Sequence, residues 1–225
     1  MNDVASIKNS FADKSLFDLA MTHRSWINEN AKARESNERL EFLGDAILEY
    51  IVSDRLYEQF PDREEGFMTT LRANLVNTVN LAGIAKKLNL GRELLLSKGE
   101  EETGGRDNPS LLADTVEALI GAIYKDKGLK AAKEFIDANL IPQIDEKLAL
   151  PLKDAKSTLQ EVVQAKGFPA PKYRIVSESG PDHAKEFEVE VLVDSKPQGQ
   201  GQGKSKAEAE QDAAKIALAN FGEKR

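Results

Sequence analysis

The sequence comprises 225 residues, of which 40% are hydrophobic and 31% are charged, and its formal net charge is −7. This composition is typical of a soluble globular chain with one large domain or two small ones, and the negative charge argues mildly against a nucleic-acid-binding protein. Because the chain has no cysteine and no apolar run near ~18 residues, disulfides, thiolate metal sites and membrane-spanning helices are excluded.

The N-terminus, MNDVASIKNS, lacks a basic region followed by an apolar core, so we expect no signal peptide and a cytoplasmic location. The chain through residue 148 is predicted to be helical, because hydrophobic residues recur in it at steps of three and four. Asn108 marks a predicted helix start, since the proline after it is favoured in a first helical turn. The clearest periodic segments are Leu40, Leu43, Ile47, Tyr50 and Ile51; Leu71, Leu75, Val79 and Ala82; and Leu112, Val116, Leu119, Ile120 and Ile123.

A change of pattern predicts a boundary near residue 150. The stretch ALPLKDA contains a proline and no apolar periodicity, which is typical of a linker. After it we predict a short amphipathic helix and then strands, since FEVEVLV alternates apolar and polar residues. The glycine-rich GQGQGKS continues extended, and a final helix carries Ala209, Ala213, Ile216 and Ala217 on one face. The predicted architecture is an all-α domain over 1–148, a linker over 149–153 and an α-β-β-β-α domain over 154–222.

Carboxylates form a stripe on the first strongly periodic helix. At 100° per residue, Glu38, Glu41, Asp45 and Glu49 lie within about 80° of one another, on the side opposite the apolar residues. Like charges at these spacings repel each other. The stripe therefore needs an explanation beyond helix stability.

A second helix repeats the arrangement with Asp114 and Glu117, three residues apart. Ala118 and Gly121 lie beside these acids and are small enough to let another helix or a ligand approach closely. The sequence therefore predicts two acidic helix faces that could face each other.

Two interpretations of the acidic faces remain open. Acids on the outside of a helix commonly just face water. However, neither stripe has a lysine or arginine three or four residues away on its own face, and both helices are apolar enough to be largely buried. Unpaired buried carboxylates are costly, and a divalent cation is the usual remedy. All-oxygen ligands suit Mg²⁺ or Mn²⁺ rather than zinc.

Longer motifs in the chain resemble the ribonuclease III family. The signature helix corresponds to NERLEFLGDAILEY over 37–50, and the second acidic helix to LLADTVEALIGAIYKD over 111–126. Other matching motifs are MTHRSW, LRANLVN and KGEEETGGRDNPS, in the expected order. The resemblance covers nearly the whole chain, including the second domain.

The resemblance implies a double-strand-specific endoribonuclease that uses a two-divalent-metal mechanism with Mg²⁺, for which Mn²⁺ can substitute. It implies 5′-phosphate and 3′-hydroxyl products with short 3′ overhangs, and processing of ribosomal RNA precursors and structured messenger RNAs. It also implies a homodimer, with Phe42 filling a pocket of the partner, although by its position on the helix Phe42 could equally be an ordinary core residue. Glu65 is implied to reach the active site, although as a first-turn acid it could simply offset a helix dipole. The implied metal ligands are Glu38, Glu41, Asp45, Asp114 and Glu117, with Asp45 and Glu117 catalytic.

The second domain resembles a double-stranded RNA-binding domain, which reads A-form shape through 2′-hydroxyls and phosphates. Acidic residues slightly outnumber basic ones in this region, so binding must depend on a local patch. Ala207 stands where the family usually has the second of two consecutive lysines. The residues implied to contact RNA are Thr158, Gln160, Glu161, Gln164, His183, Lys204 and Lys206.

The sequence leaves three functions open. The first is the ribonuclease, which the intact acids favour. The second is a catalytically silent, dimeric protein that binds double-stranded RNA. A metal-dependent phosphohydrolase for small molecules is the third, and the predicted duplex-binding domain argues against it. With two histidines in different domains, His23 and His183, the sequence offers no nucleophilic triad, and His23 is predicted to be a packing residue.

Overall fold

The computed structural model describes residues 3–30, 35–149, 152, 154–181 and 185–223. The chain forms two compact units, Met1–Leu152 and Lys153–Arg225. The first is helical, and the second combines helices with a three-stranded sheet. The predicted fold class, an all-α unit followed by an α-β-β-β-α unit, is confirmed.

The first unit is built around two long helices that cross each other. Its helices are α1 Val4–Ser10, α2 Lys14–Ala20, α3 Arg24–Glu29, α4 Glu38–Gln59, α5 Glu65–Val76, α6 Thr78–Lys87, α7 Lys98–Glu102, α8 Pro109–Asn139 and α9 Ile144–Leu148. Short 3₁₀ turns lie at Leu90–Arg92, Gly105–Asp107 and Ile141–Gln143.

Helices α4 and α8 touch backbone to backbone because each has a glycine at the crossing. A Cβ atom at Gly44 would lie 1.7 Å from the carbonyl oxygen of Glu117, and one at Gly121 would lie 2.2 Å from that of Leu40. No side chain fits in those gaps. The crossing therefore fixes the distance between the acidic faces of the two helices.

Two residues assigned to the apolar faces are instead exposed. Tyr50 is 57% exposed, because Leu48 rather than Tyr50 completes the buried face of α4. Val79 is 80% exposed. The segment around it is two helices rather than one, since Asn77 is extended and caps α6 by accepting a hydrogen bond from the Asn80 N–H.

Helix α8 is broken near its middle. Gly128 has a φ of 80° and a ψ of −178°, a conformation that glycine adopts readily. Asp114 and Glu117 lie before the break, and Asn108 caps the helix as predicted by accepting a hydrogen bond from the Ser110 N–H. The helix predicted around Phe135 and Leu140 is the second half of α8, followed by a 3₁₀ turn and α9.

The second unit follows the predicted order of a helix, three strands and a helix. Its elements are α10 Ala155–Ala165, β1 Lys172–Ser179, β2 Glu186–Val193, β3 Lys196–Gly203 and α11 Lys206–Glu223. The antiparallel sheet has the order β1-β2-β3, with Tyr173 opposite Val191 and Val189 opposite Gly201. Residues of α10, β2 and α11 share one core, which contains Leu159, Val163, Val191, Val193, Ala213, Ala214 and Ala217.

The glycine-rich stretch is strand β3, and its glycines let α11 lie directly on the sheet. Added Cβ atoms at Gly199, Gly201 and Gly203 would all come within 3 Å of α11 backbone atoms. The alanine face of α11 is buried as predicted, except that Ile216 is largely exposed and Ala214 is buried instead. Among the described helices, none has the length and apolar character needed to cross a membrane.

Candidate active site

Three carboxylates meet where α4 and α8 cross. Glu41 comes from α4, one turn before Gly44, and Asp114 and Glu117 come from α8. One ligand oxygen from each lies within 4.8 Å of the others, and all three side chains are half-buried. We call Glu41, Asp114 and Glu117 the acid cluster. The two faces that the sequence predicted separately therefore form one site.

Burial raises the pKa values of all three acids of the cluster, and repulsion by neighbouring carboxylates adds to the shifts at Glu41 and Glu117. Burial raises the pKa of Glu117 to about 8, and the negative charges around it add to the effect. The pKa values of Glu41 and Asp114 are also raised, chiefly by burial; the charge of Asp114 adds to the shift at Glu41, whereas His23 partly offsets the shift at Asp114. Three acids held together at this cost indicate a site for positive charge.

The acid cluster suits a hard divalent cation. Within the described part of the chain, no lysine, arginine or histidine forms an ion pair with Glu41, Asp114 or Glu117. The donors are carboxylate oxygens only, which favour Mg²⁺ or Mn²⁺. A cation would remove both the repulsion and the cost of burying unpaired charge.

Glu38 and Asp45 lie beside the acid cluster rather than in it. Glu38 accepts a hydrogen bond from Ser36 Oγ at 2.7 Å, and its other oxygen lies 3.4 Å from Arg24 Nη1. Asp45 is exposed, but it is close enough that its charge helps to raise the pKa of Glu117. These two acids thus border the site in the structure.

Basic partners of the stripe come from other helices, a feature that the sequence reasoning missed. Arg24 in α3 pairs with Glu38, and Arg72 in α5 pairs with Glu49 at 2.7 Å. Spacing within one helix cannot reveal such pairs. Ser36, two residues before Glu38, was the one local signal that could have been noticed.

Glu65 and Phe42 are not part of the acid cluster. Glu65 begins α5, accepts a hydrogen bond from Thr69 Oγ1 at 2.7 Å and lines a cavity of about 420 Å³ with Tyr50 and Tyr57. Phe42 is 80% exposed on α4, so it contributes almost nothing to the core of its own unit. His23 caps α3 through Nδ1, which fits the packing role predicted for it.

The predicted RNA contacts of the second unit lie on exposed surfaces. On α10, Gln160, Glu161 and Gln164 are exposed, and Thr158 is half-buried with its hydroxyl donating to the Asp154 carbonyl. Lys204 and Lys206 are exposed between β3 and α11. His183 lies outside the described residues.

The first unit is helical and carries a carboxylate cluster between two crossing helices, and the second unit has the order α-β-β-β-α. A family model described as Ribonuclease-III-like matches residues 13–144, and the Double-stranded RNA binding motif matches residues 155–221. The chain belongs to the ribonuclease III family and is an enzyme of that family.

Curated relatives support this assignment over almost the full length. Ribonuclease 3 of Streptococcus equi subsp. zooepidemicus is 44% identical over 224 residues, covering 97% of each chain. Ribonuclease 3 of Streptococcus gordonii is 47% identical over 209 residues, covering 92% of this chain and 90% of the relative. A crystal structure of the nuclease domain of the Campylobacter jejuni enzyme is 38% identical with a TM-score of 0.56, covering 67% of this chain and 99% of that domain.

Proposed function

We propose that this protein is an endoribonuclease that hydrolyses phosphodiester bonds in double-stranded RNA with the help of two divalent cations, Mg²⁺ or Mn²⁺. The products are 5′-phosphate and 3′-hydroxyl ends with short 3′ overhangs. The observation that carries the proposal is the acid cluster, in which three half-buried carboxylates converge without a basic partner in the described residues. The family and the duplex-binding motif supply the substrate class.

In this proposal Glu41, Asp114 and Glu117 hold the cations, while Glu38 and Asp45 complete the ligand set from its border. When bound, divalent cations neutralise the phosphodiester, activate the attacking water and stabilise the leaving 3′ oxygen. Glu117 and Asp45 are the proposed catalytic residues, and they are close enough for the charge of Asp45 to help raise the pKa of Glu117. Glu65 is proposed to contribute to substrate binding, as the family resemblance implies, from a position outside the acid cluster.

Glu117 links cation binding to pH. Its raised pKa, about 8, keeps it protonated at neutral pH while no cation is present. A carboxylate must lose its proton to bind a cation, so binding becomes easier as the pH rises toward 8. Glu117 thereby avoids carrying an uncompensated charge when the site is cation-free.

The second unit would bind the duplex. The exposed face of α10, with Gln160, Glu161 and Gln164, is proposed to lie along a minor groove beside Thr158, and the segment around His183 along another. Lys204 and Lys206 are proposed to contact phosphates across the intervening major groove. Lys206 Nζ lies 5.8 Å from the centroid of the Phe187 ring, a contact that supports its side chain against the sheet.

Replacing Ala207 by lysine is expected to strengthen RNA binding. Ala207 is exposed one residue after Lys206, so an added ammonium group would face the same phosphates. The slope of log affinity against log salt should steepen by about one phosphate contact. Titrations of a long duplex at several salt concentrations, without divalent cations, measure this slope. Ala219→Lys, which adds the same charge further along α11, is the control; equal slopes for wild type and Ala207→Lys would contradict the prediction.

We propose that the enzyme works as a homodimer. Phe42 is a large apolar side chain that is 80% exposed, and the cavity lined in part by Tyr50, Tyr57 and Met68 offers apolar surface and room for a ring. Such a pair of features suits a self-complementary interface. A solved nuclease domain of the Campylobacter jejuni enzyme is 43% identical, and its structure is reported to show flexibility in a region involved in dimer formation.

The cellular part of the proposal is cytoplasmic processing of ribosomal RNA precursors and structured messenger RNAs. The domain boundaries that belong to it are 1–148 for the catalytic domain, 149–153 for the linker and 154–222 for the RNA-binding domain. The processing role rests on the family, whereas the location and the boundaries rest on the sequence pattern.

Cleavage of a long RNA duplex tests the enzyme against its rival, the silent RNA-binding protein. With Mg²⁺ we expect staggered fragments with 5′-phosphates, and with excess EDTA we expect intact RNA that is still shifted in a gel. A shift without cutting in Mg²⁺ would instead support the silent binder. Cutting that persists in EDTA would contradict the role of the acid cluster.

A further inference from the structure

Glu38 is held outside the acid cluster by two donors. Its Oε2 accepts a hydrogen bond from Ser36 Oγ at 2.7 Å, and its Oε1 lies 3.4 Å from Arg24 Nη1. Both oxygens therefore have a partner outside the acid cluster. The charge of Glu38 is still close enough to help raise the pKa of Glu41.

The backbone fixes this arrangement. The Asn37 N–H donates to the Thr22 carbonyl at 2.8 Å, and the buried Asn37 side chain donates to the Ala20 carbonyl at 3.3 Å. The His23 N–H donates to the Leu95 carbonyl at 3.1 Å. The first residue of α3, Arg24, and the first residue of α4, Glu38, are thus held side by side whether or not their side chains interact.

The contact between Arg24 and Glu38 is weak enough to exchange. The Arg24 side chain is 71% exposed, and only one of its nitrogens approaches the carboxylate. Exposed pairs of this kind contribute little stability because water and salt screen them. A divalent cation offers a carboxylate oxygen a stronger partner than a solvated guanidinium does.

Glu38 shares a cavity with two members of the acid cluster. The cavity has a volume of about 200 Å³ and is lined by Arg24, Glu38, Glu41 and Asp114, with the apolar Leu94 and Leu111 closing one side. The Glu38 carboxylate therefore borders the same space as two members of the acid cluster. The cavity gives the Glu38 side chain space on the side of Glu41 and Asp114.

We propose that Arg24 and Ser36 are positioning residues that hold Glu38 away from the acid cluster while no cation is bound, and that they compete with the divalent cation for its carboxylate. This inference rests on the proposed function, since it assumes that the acid cluster binds a cation. The two residues set the cation affinity of the site without contacting the cation themselves. Neither belongs to the residues assigned above to catalysis or RNA binding.

Mn²⁺ binding to the full-length protein without RNA tests the inference, with free Mn²⁺ measured by electron paramagnetic resonance. Arg24→Ala should tighten binding about two- to fivefold, the range that loss of a weak surface pair allows. Ser36→Ala, which changes no charge, should tighten it by about twofold. Arg24→Lys should stay near wild type, because a single charge can replace a contact made by one nitrogen.

Two comparisons separate this role from a general effect of positive charge. In a Glu38→Gln background, Arg24→Ala should leave Mn²⁺ affinity unchanged. Arg39→Ala, which removes an exposed charge next to Glu38, should also have no effect on wild type. Equal tightening in the Gln background, or by Arg39→Ala, would overturn the inference, as would unchanged affinity in both Arg24→Ala and Ser36→Ala.

The outcome also separates this inference from the proposed function. If Asp114→Asn removes the bound Mn²⁺ but Arg24 and Ser36 do not matter, only the inference fails. If wild type shows no Mn²⁺ binding that depends on Asp114, the inference and the proposed function both fail.

Discussion

Glu117→Gln is expected to abolish cleavage of double-stranded RNA while leaving RNA binding intact. The substitution keeps the size of the side chain but removes the charge from the most strongly shifted carboxylate of the acid cluster. Losing several kcal/mol of transition-state stabilisation lowers the rate by about a thousandfold or more. Single-turnover cleavage in Mg²⁺ and duplex titration in EDTA measure the two quantities separately.

Glu134→Gln is the matched control for this prediction. It makes the same change in the same helix, at an exposed position beyond the break at Gly128. It should cleave like wild type. Cleavage at the wild-type rate by Glu117→Gln would refute the assigned role, and a loss of duplex binding would show that Glu117 contributes to recognition instead.

Glu117→Gln should also stabilise the cation-free protein, increasingly so as the pH rises. The pKa of Glu117 is raised from 4.5 in the unfolded chain to about 8 in the fold. Below about pH 4.5, Glu117 is protonated in both the folded and the unfolded state, so the free energy of unfolding is not reduced. Between the two values only the unfolded state ionises, so the free energy of unfolding of wild type falls with pH, and above 8 the loss is constant. Glutamine removes this loss.

The expected gain at about pH 8 is about 1–3 kcal/mol, allowing for the water that reaches the half-buried carboxylate. Chemical denaturation in EDTA at about pH 5 and about pH 8 measures the difference between the two proteins. A gain that does not grow with pH would contradict the raised pKa.

Gly44→Ala is expected to lower both the stability of the protein and its cleavage rate, because it forces α4 and α8 apart. This is the second-largest effect that we expect. The added methyl group would lie 1.7 Å from the Glu117 carbonyl oxygen, and backbone atoms cannot move aside as a side-chain end can. We expect a loss of about 3 kcal/mol or more in the free energy of unfolding. Cleavage should fall with it, even in the folded fraction, because Glu41 would move away from Asp114 and Glu117.

Gly83→Ala provides the comparison for that experiment. Gly83 lies exposed within α6 with no atom near the added methyl group, so alanine should be neutral or stabilise the protein by up to about 1 kcal/mol. In thermal denaturation and cleavage assays, Gly83→Ala should therefore behave like wild type or slightly better, and Gly44→Ala should be less stable and less active. Wild-type stability and activity in Gly44→Ala would mean that the helices are not in backbone contact.

Helical periodicity was sufficient to predict that acids of α4 and α8 line two faces, because both helices are long and regular. It also indicated Gly121 as a point of close approach, which the crossing with Gly44 confirms. What it could not show is the direction of each carboxylate. Whether Glu38 joins the acid cluster depends on Arg24, which is distant in sequence, and on rotamers that have no signature in spacing.

The spacing of apolar residues also could not predict which of them are exposed. Tyr50 and Val79 satisfy the spacing rule, but Tyr50 lines an open cavity and Val79 follows a break at Asn77. The Asn77 cap could have been noticed, since asparagine is a favoured N-cap residue. The exposure of Tyr50 follows only from how α4 and α5 pack, which no single-helix pattern contains.

The glycines of β3 have a mechanical consequence for the RNA-binding unit. Since Gly199, Gly201 and Gly203 leave no side chains between the strand and α11, the height of that helix above the sheet is set by main-chain atoms alone. We therefore expect the separation between Lys206, at the start of that helix, and the exposed face of α10 to stay fixed. The outward-facing glutamines between the glycines can be substituted without changing the distance between α11 and the sheet. A methyl group added to one of the glycines, which face α11, would increase that distance.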